Sequence, residues 1–241
     1  FDSFFVQNES SKTLLKSIGF TNVKVSGDTR FDRVVSILDR DNTLDFIEQF
    51  RDSSTSLGKT KMVVIGSSWP KDEELLVNYI NNSSDDVKFI IAPHNIDKNQ
   101  ILNLKTQISK KMILFSEKDN VDVSNYAVFI IDTIGILTKI YSYADIAYVG
   151  GGFGNPGVHN ILEPATFGIP VVIGPNYSHF SEATALVNLE GCMTIQNQTQ
   201  LNEAFDLLIQ NEDERLEKGH ICSTFVQMNK GATQTIMSHI V

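Results

Sequence analysis

The sequence predicts an α/β fold built on a Rossmann-like, doubly wound parallel sheet, and three observations predict it. Short runs rich in Val, Ile and Phe alternate with longer helical patterns along most of the 241 residues. Several of those runs are continuously apolar, such as Met62-Val63-Val64-Ile65 and Val128-Phe129-Ile130-Ile131, which is the signature of parallel strands covered on both faces. Glycines and prolines fall at the predicted breaks, as βαβ units require.

Taken in order, 4–6 reads as a strand, 9–17 as a helix and 23–25 as a second strand. Gly19 stands in the position that ends the first helix. Ser26-Gly27-Asp28-Thr29-Arg30 is a connection into a new α/β series. A long helix is predicted over 30–49, then a polar loop at Asp52-Ser53-Ser54-Thr55-Ser56. The strand 61–65 leads to a helix over 72–81. Pro70 fits its first turn, and Asp72, Glu73 and Glu74 suit its positive end. Strand 87–92, helix 98–109, strand 112–115, strand 127–131, helix 135–143 and strand 145–149 follow. A helix over 158–167 ends at Gly168, strand 170–173 begins at Pro170, and helix 179–189, strand 192–195 and helix 201–208 complete the series. The tail, 211–241, is polar and helical in pattern, with Phe225, Met228 and Ile236 as sparse anchors. Three segments result: 1–30, the end of a preceding domain with its linker; 31–210, the main Rossmann-like domain; and 211–241, a helical tail. The chain starts at Phe1 and runs directly into Phe4-Phe5-Val6, which reads as entry into a fold already under way.

Composition narrows the function. Hydrophobic residues make up 41% and the formal net charge is −9, enough apolar material for a large core and the wrong field for a nucleic-acid binder. Such a domain can still hold a phosphate through backbone amides. Cys192 and Cys222 have no CxxC spacing and no adjacent His cluster, so neither a zinc site nor a disulfide framework is indicated, and a reducing compartment fits. Cys192, in an apolar run, reads as core. No apolar run reaches the ~18 residues of a membrane span.

The densest signal is Gly150-Gly151-Gly152-Phe153-Gly154-Asn155-Pro156-Gly157, followed by His159-Asn160-Ile161-Leu162-Glu163-Pro164. It follows a predicted strand and precedes a predicted helix. Glycines allow close approach of a ligand to the backbone, and a helix N-terminus offers unpaired amides and partial positive charge to a phosphate or carboxylate. In open α/β sheets ligands sit outside the carboxyl ends of the strands. Asn160 and Glu163 are three apart and share one helix face. Asn160 can donate to a phosphate oxygen, and Glu163 can accept from the cis-diol of a ribose. The motif is neither a Walker loop nor a GxGxxG fingerprint.

These residues resemble the C-terminal domain of 3-deoxy-D-manno-octulosonic acid (Kdo) transferases. The likeness rests on Ala144-Asp145-Ile146-Ala147-Tyr148-Val149-Gly150-Gly151-Gly152, His159-Asn160-Ile161-Leu162-Glu163-Pro164-Ala165 and Gly174-Pro175-Asn176-Tyr177. Gly66-Ser67-Ser68-Trp69 with Glu73-Glu74, Ala92-Pro93-His94 and Asp132-Thr133-Ile134-Gly135 come in the family's order. The resemblance implies the C-terminal half of a GT-B glycosyltransferase that binds CMP-Kdo and passes Kdo, an acidic sugar, to a lipid A precursor in lipopolysaccharide biosynthesis. It implies that Pro93 and His94 edge the cytosine, that Ile134 and Gly135 lie near the nucleotide, that Asn160 sits near the phosphate and that Glu163 holds the ribose. Ser67, Ser68, Gly151 and Gly152 complete the implied donor site. His94 stands where the family has Arg, and Ile136 where it has Glu. The implied general base is a Glu of the N-terminal domain, so the partners are that domain, the CMP-Kdo donor and the lipid acceptor, with no nucleic acid, no metal and no cofactor. The implied location is the cytoplasmic face of the bacterial inner membrane, with this chain itself soluble, and the chain alone is expected to bind donor without turning it over. Two other functions fit the residues: a GT-B transferase for another nucleotide sugar, and a non-catalytic nucleotide-binding domain.

Other side chains carry more than one role. Ser67 and Ser68 either reach the ligand or cap the Pro70 helix. Trp69 favours packing over base stacking. His94 is equally a structural residue. His159 and Asp132 favour capping. His179 and Glu182 are simply one helical turn apart.

Overall fold

A computed structural model describes residues 1–51 and 60–240; the polar loop expected at 52–56 lies outside them. The chain forms the expected strands: β1 (Phe4–Val6), β2 (Val23–Val25), β3 (Lys61–Ser68), β4 (Val87–Pro93), β5 (Met112–Leu114), β6 (Val128–Ile130), β7 (Ile146–Val149), β8 (Val171–Ile173) and β9 (Cys192–Thr194). The first two pair in parallel as a small separate sheet. The other seven form one parallel sheet in the order β5-β6-β4-β3-β7-β8-β9. From β3 the chain passes to β4, then to the edge strand β5 and back to β6 between them, and crosses to the other side of β3 at β7. The order therefore reverses between β3 and β7, which places a crevice at their carboxyl ends.

Helices cover both faces: α1 (Glu9–Ser17), α2 (Thr29–Val35), α3 (Asp45–Arg51), α4 (Pro70–Asn82), α5 (Lys98–Gln107), α6 (Leu137–Tyr141), α7 (Leu162–Thr166), α8 (Ser181–Asn188), α9 (Gln198–Gln210), α10 (Glu212–Asn229) and α11 (Ala232–Met237). On one face Leu76 and Ile80 of α4 pack with Phe205 and Leu208 of α9 over Val63, Ile65, Phe89 and Tyr148. On the other, Ile47 and Phe50 of α3 and Ile140 and Tyr141 of α6 pack over Val64, Ile90 and Phe129. Every residue of β4 is buried, hence its apolar run Phe89-Ile90-Ile91-Ala92, while the ammonium of the buried Lys88 donates to the Ser124 carbonyl.

Three sequence expectations are corrected. The helix expected over 30–49 is two helices, because the Asp41 carboxylate accepts from the Thr43 backbone amide at 2.9 Å and the Asn42 side-chain NH₂ donates to the carbonyls of Ile37 and Arg40, satisfying backbone groups outside a helical ladder. The helix expected from Val158 begins only at Leu162, for reasons given below. Of the anchors expected in the helical tail, Phe225 packs against the cluster in which α10 buries Cys222 and Val226 with Leu162, Ala165 and Val171, but Met228 is 80% exposed.

Candidate functional site

The segments singled out in the sequence lie at or just after the carboxyl ends of β3, β4, β6, β7 and β8. β3 ends in a bulge against β4 at Gly66–Ser68, and Ser67, at φ 53°, takes the left-handed conformation. A non-glycine residue there costs about 1–2 kcal/mol. Gly150, at the end of β7, passes so close that a Cβ would stand 2.3 Å from the Ser67 carbonyl oxygen. Only glycine permits that contact.

The glycine loop is held by a residue that sequence reasoning treated merely as a helix-end acid. Asp72 is buried. Its Oδ2 accepts from the backbone amides of Trp69 and Gly151, both at 2.9 Å, and its Oδ1 accepts from the Tyr148 hydroxyl at 2.8 Å. One carboxylate thus joins the start of α4, strand β7 and the glycine loop. Its only sequence signal is a position three residues after the N-cap, the acidic place of a capping box.

Most loop amides are engaged within the fold. Gly150 donates to Gly66, Gly154 to Gly151, Gly157 to Gly154, Val158 to Asn176 and His159 to Gly150, and Gly151 donates to Asp72. These bonds hold 157–159 out of helical geometry. Asn160 Oδ1 then accepts from the Leu162 amide at 3.1 Å and starts the five-residue α7. The expected anion site, loop amides leading into a long helix, is therefore not built in that form. Gly152 packs against Gly174, with its carbonyl accepting from Asn176.

Asn160 and Glu163 do share one face. The Asn160 amide donates to Glu163 Oε1 at 3.0 Å, and the Thr138 hydroxyl donates to Oε2 at 2.7 Å. The carboxylate is thereby oriented by two neutral donors and retains lone pairs for a ligand. It borders a cavity of about 160 Å³ together with Gly135, Thr138, Arg33, Arg40 and Lys139. The cations were not foreseen. Gly135 has φ 92°, and the neighbouring Ile134 is 84% exposed, a large apolar side chain standing free at the site's edge.

Ser68 is fully buried and donates to Glu73 Oε1 at 2.8 Å, so its hydroxyl turns inward, while Ser67 is half-buried. Burial pushes the Glu73 carboxyl up, against hydrogen bonds from Ser68 and Gln100. Neither serine caps the helix; Trp69 is the N-cap residue. Asp132 accepts from the amide and hydroxyl of Ser116 rather than capping α6. Glu182 is buried against Arg30, with contacts of 2.7 and 3.2 Å, a structural pairing.

Pro93 is buried at the end of β4, and His94 is exposed with its amide bonded to Ser68. His94 stacks on Trp69 (4.6 Å, 16°) and on His159 (4.3 Å, 26°). Trp69 and His159 lie nearly coplanar (10°), joined by a 2.8 Å bond from indole Nε1 to imidazole Nε2. An indole N–H can only donate, so His159 Nε2 is unprotonated and the neutral ring carries its hydrogen on Nδ1. Burial, and then the neighbouring His94, hold the His159 pKa below its ordinary value, with Asp72 opposing.

Among the described residues no group of three or more His, Cys, Asp or Glu is arranged to hold a metal ion, and no helix is long and apolar enough to cross a membrane.

No protein-family model matches the chain. It is 26% identical over 223 residues to a 3-deoxy-D-manno-octulosonic acid transferase of Chlamydophila psittaci, covering 90% of this chain and 50% of that protein. It is 31% identical over 227 residues to the Chlamydia trachomatis serovar D transferase of the same name, covering 90% and 51%. The chain spans about half the length of these relatives. In three dimensions it is similar to the C-terminal CMP-Kdo binding domain of WaaA from Acinetobacter baumannii (TM-score 0.59, 19% identity, 87% of this chain and 99% of that one). It is also similar to UDP-GlcNAc 2-epimerase from Neisseria meningitidis (TM-score 0.62, 16% identity, 98% and 61%). At these identities the likenesses establish the shared Rossmann-like fold.

Proposed function

The chain is a sequence relative of the Kdo transferases, and from that premise we propose that it is the donor-binding part of such an enzyme, taking CMP-Kdo for transfer to a lipid A precursor. The observation that carries the reading is the oriented Glu163 carboxylate in the crevice where the sheet order reverses, with both oxygens steered by Asn160 and Thr138. A ribose cis-diol is the natural partner of a carboxylate with free lone pairs. Pro93 and His94 flank the base, Ile134 and Gly135 cover the nucleotide, and Ser67, Gly151 and Gly152 shape the floor. Asn160 acts chiefly by aiming Glu163.

Inverting transfer needs a general base for the acceptor hydroxyl and stabilisation of the departing CMP phosphate. Here the second belongs to this chain and the first to an N-terminal domain that residues 1–30 would complete, with 31–210 as the donor domain and 211–241 as its tail. The full enzyme would work at the cytoplasmic face of the inner membrane, where its lipid acceptor lies, and this chain by itself would bind donor without transferring it.

Calorimetric titration with CMP, UMP and AMP tests this. CMP is expected to bind in preference to the other two, and Glu163→Gln to weaken it by about tenfold, the loss of hydrogen bonds to a charged acceptor. Equal affinity for the three nucleotides, unchanged in the variant, overturns the reading. Kdo transfer by the 241-residue chain would refute its dependence on a second domain.

A further inference from the structure

In a chain of net charge −9, one small cavity gathers positive charge. Arg33 of α2, Arg40 of the loop after it and Lys139 of α6 border the same space as Glu163, Thr138 and Gly135. The lining thus holds three cations against one carboxylate. Among the described residues none of the three cations forms an ion pair. Arg40 makes one contact, to the Ser36 hydroxyl at 3.3 Å. Glu163 pairs directly with none of them, its bonded partners being the neutral Thr138 and Asn160, and its single negative charge leaves the lining net positive. The exposed Asp41 feels Lys139 but is held by the Thr43 amide at 2.9 Å, outside the cavity lining.

Like charges held around a cavity repel, and an anion between them removes the repulsion. Guanidinium groups also match the two oxygens of a phosphate or carboxylate better than any other side chain. The glycine loop, the other candidate for holding an anion, has most of its amides turned inward, and α7 is too short to supply a strong terminal dipole. We propose that this cavity is the anion subsite of the donor cleft, in which Arg33, Arg40 and Lys139 take an oxyanion of the donor beside Glu163. The proposal rests on the donor-site reading above. The oxyanion has two sources, the nucleotide phosphate and the carboxylate of the acidic sugar.

The test titrates the wild-type chain and Arg33→Gln/Lys139→Gln with cytidine, CMP, free Kdo and inorganic pyrophosphate. Amide resonances of Gly135 and Thr138 report occupancy, and the spectrum as a whole reports folding. Arg40→Gln alone is a second, milder variant. If the phosphate is the occupant, the double variant loses CMP affinity by about tenfold or more, from the loss of charge-assisted bonds, while cytidine binds as before. If the sugar carboxylate is the occupant, the double variant keeps CMP but loses the Kdo response. Either loss is eased by salt, which screens an open subsite. Pyrophosphate moving Gly135 and Thr138 in the wild type, without any preference for CMP over UMP, supports the anion subsite while sinking the nucleotide reading. Unchanged binding of CMP, Kdo and pyrophosphate in the double variant overturns the proposal, as does a wild type in which no anion moves those two amides.

Discussion

Replacing Asp72 separates a designed hub from an ordinary helix-end acid. In the native fold this buried carboxylate accepts three hydrogen bonds, from the Trp69 amide, the Gly151 amide and the Tyr148 hydroxyl. Asp72→Ala removes the acceptor from all three. Each buried donor left unsatisfied costs about 1–3 kcal/mol. The Trp69 amide lies nearest the surface and can recover water, so about 3–5 kcal/mol is expected in total, a large share of a typical domain's about 5–15 kcal/mol. Asp72→Asn is a different case. Its carbonyl oxygen can face the two amides, and its NH₂ can donate to Tyr148, because a hydroxyl accepts as well as donates. What is lost is the charge: weaker bonds and a poorer match to the α4 dipole, about 1–2 kcal/mol together. Urea unfolding followed by circular dichroism measures both values, and hydrogen exchange at Gly151 reports whether the loop itself has loosened. Faster Gly151 exchange in the Ala variant, with the Asn variant close to wild type, is the expected pattern. An Ala variant within 1 kcal/mol of wild type, or an Asn variant as damaged as the Ala one, would refute the hub.

Three further outcomes follow from the structure. Nitrogen-15 spectra of His159 should show the Nδ1–H neutral form at pH 7, and Trp69→Phe, which keeps the ring but not the donor, should release it to a mixture of tautomers. Because the folded His159 pKa lies below its unfolded value, the unfolded chain takes up the proton first. Stability should thus fall as pH drops below about 6.5, and less so in His159→Gln; equal falls in both proteins would contradict this. Cys192 and Cys222 are buried free thiols, with Cys192 raised by burial and Cys222 pushed up to about 12 by the same cause. The thiolate is the reactive form, so both should resist a disulfide reagent until the chain unfolds, and rapid native labelling of either would show the α10 packing to be wrong.

Some of this molecule was legible one residue at a time. The strands were, because a strand covered on both faces is apolar at successive positions, as Met62–Ile65 of β3, β6 and β8 are. Helix α1 was, because Asn8 caps it and Gly19, at φ 98°, ends it. The place of the candidate site in the fold was legible too, since a glycine run after an apolar strand marks the carboxyl end of a parallel strand. The break between α2 and α3 was in plain view at Asp39-Arg40-Asp41-Asn42-Thr43, where short polar side chains compete for the backbone, but it was outweighed by the apolar periodicity on either side.

The local sequence alone determined the parallel sheet, its strands and the corner where a ligand would sit, because these depend on the alternation of apolar runs, glycines and caps within a few residues. Only the tertiary structure decided how that corner is wired. Asp72 meets Gly151 across 79 positions, and Trp69 meets His159 across 90. Arg33 and Arg40 reach Gly135, Lys139 and Glu163 across a cavity that exists only once α2 and α6 are packed. No periodicity records such pairings, since a hydrogen bond or a shared cavity depends on distance in space, and distance between strand ends is set by the order of the strands in the sheet.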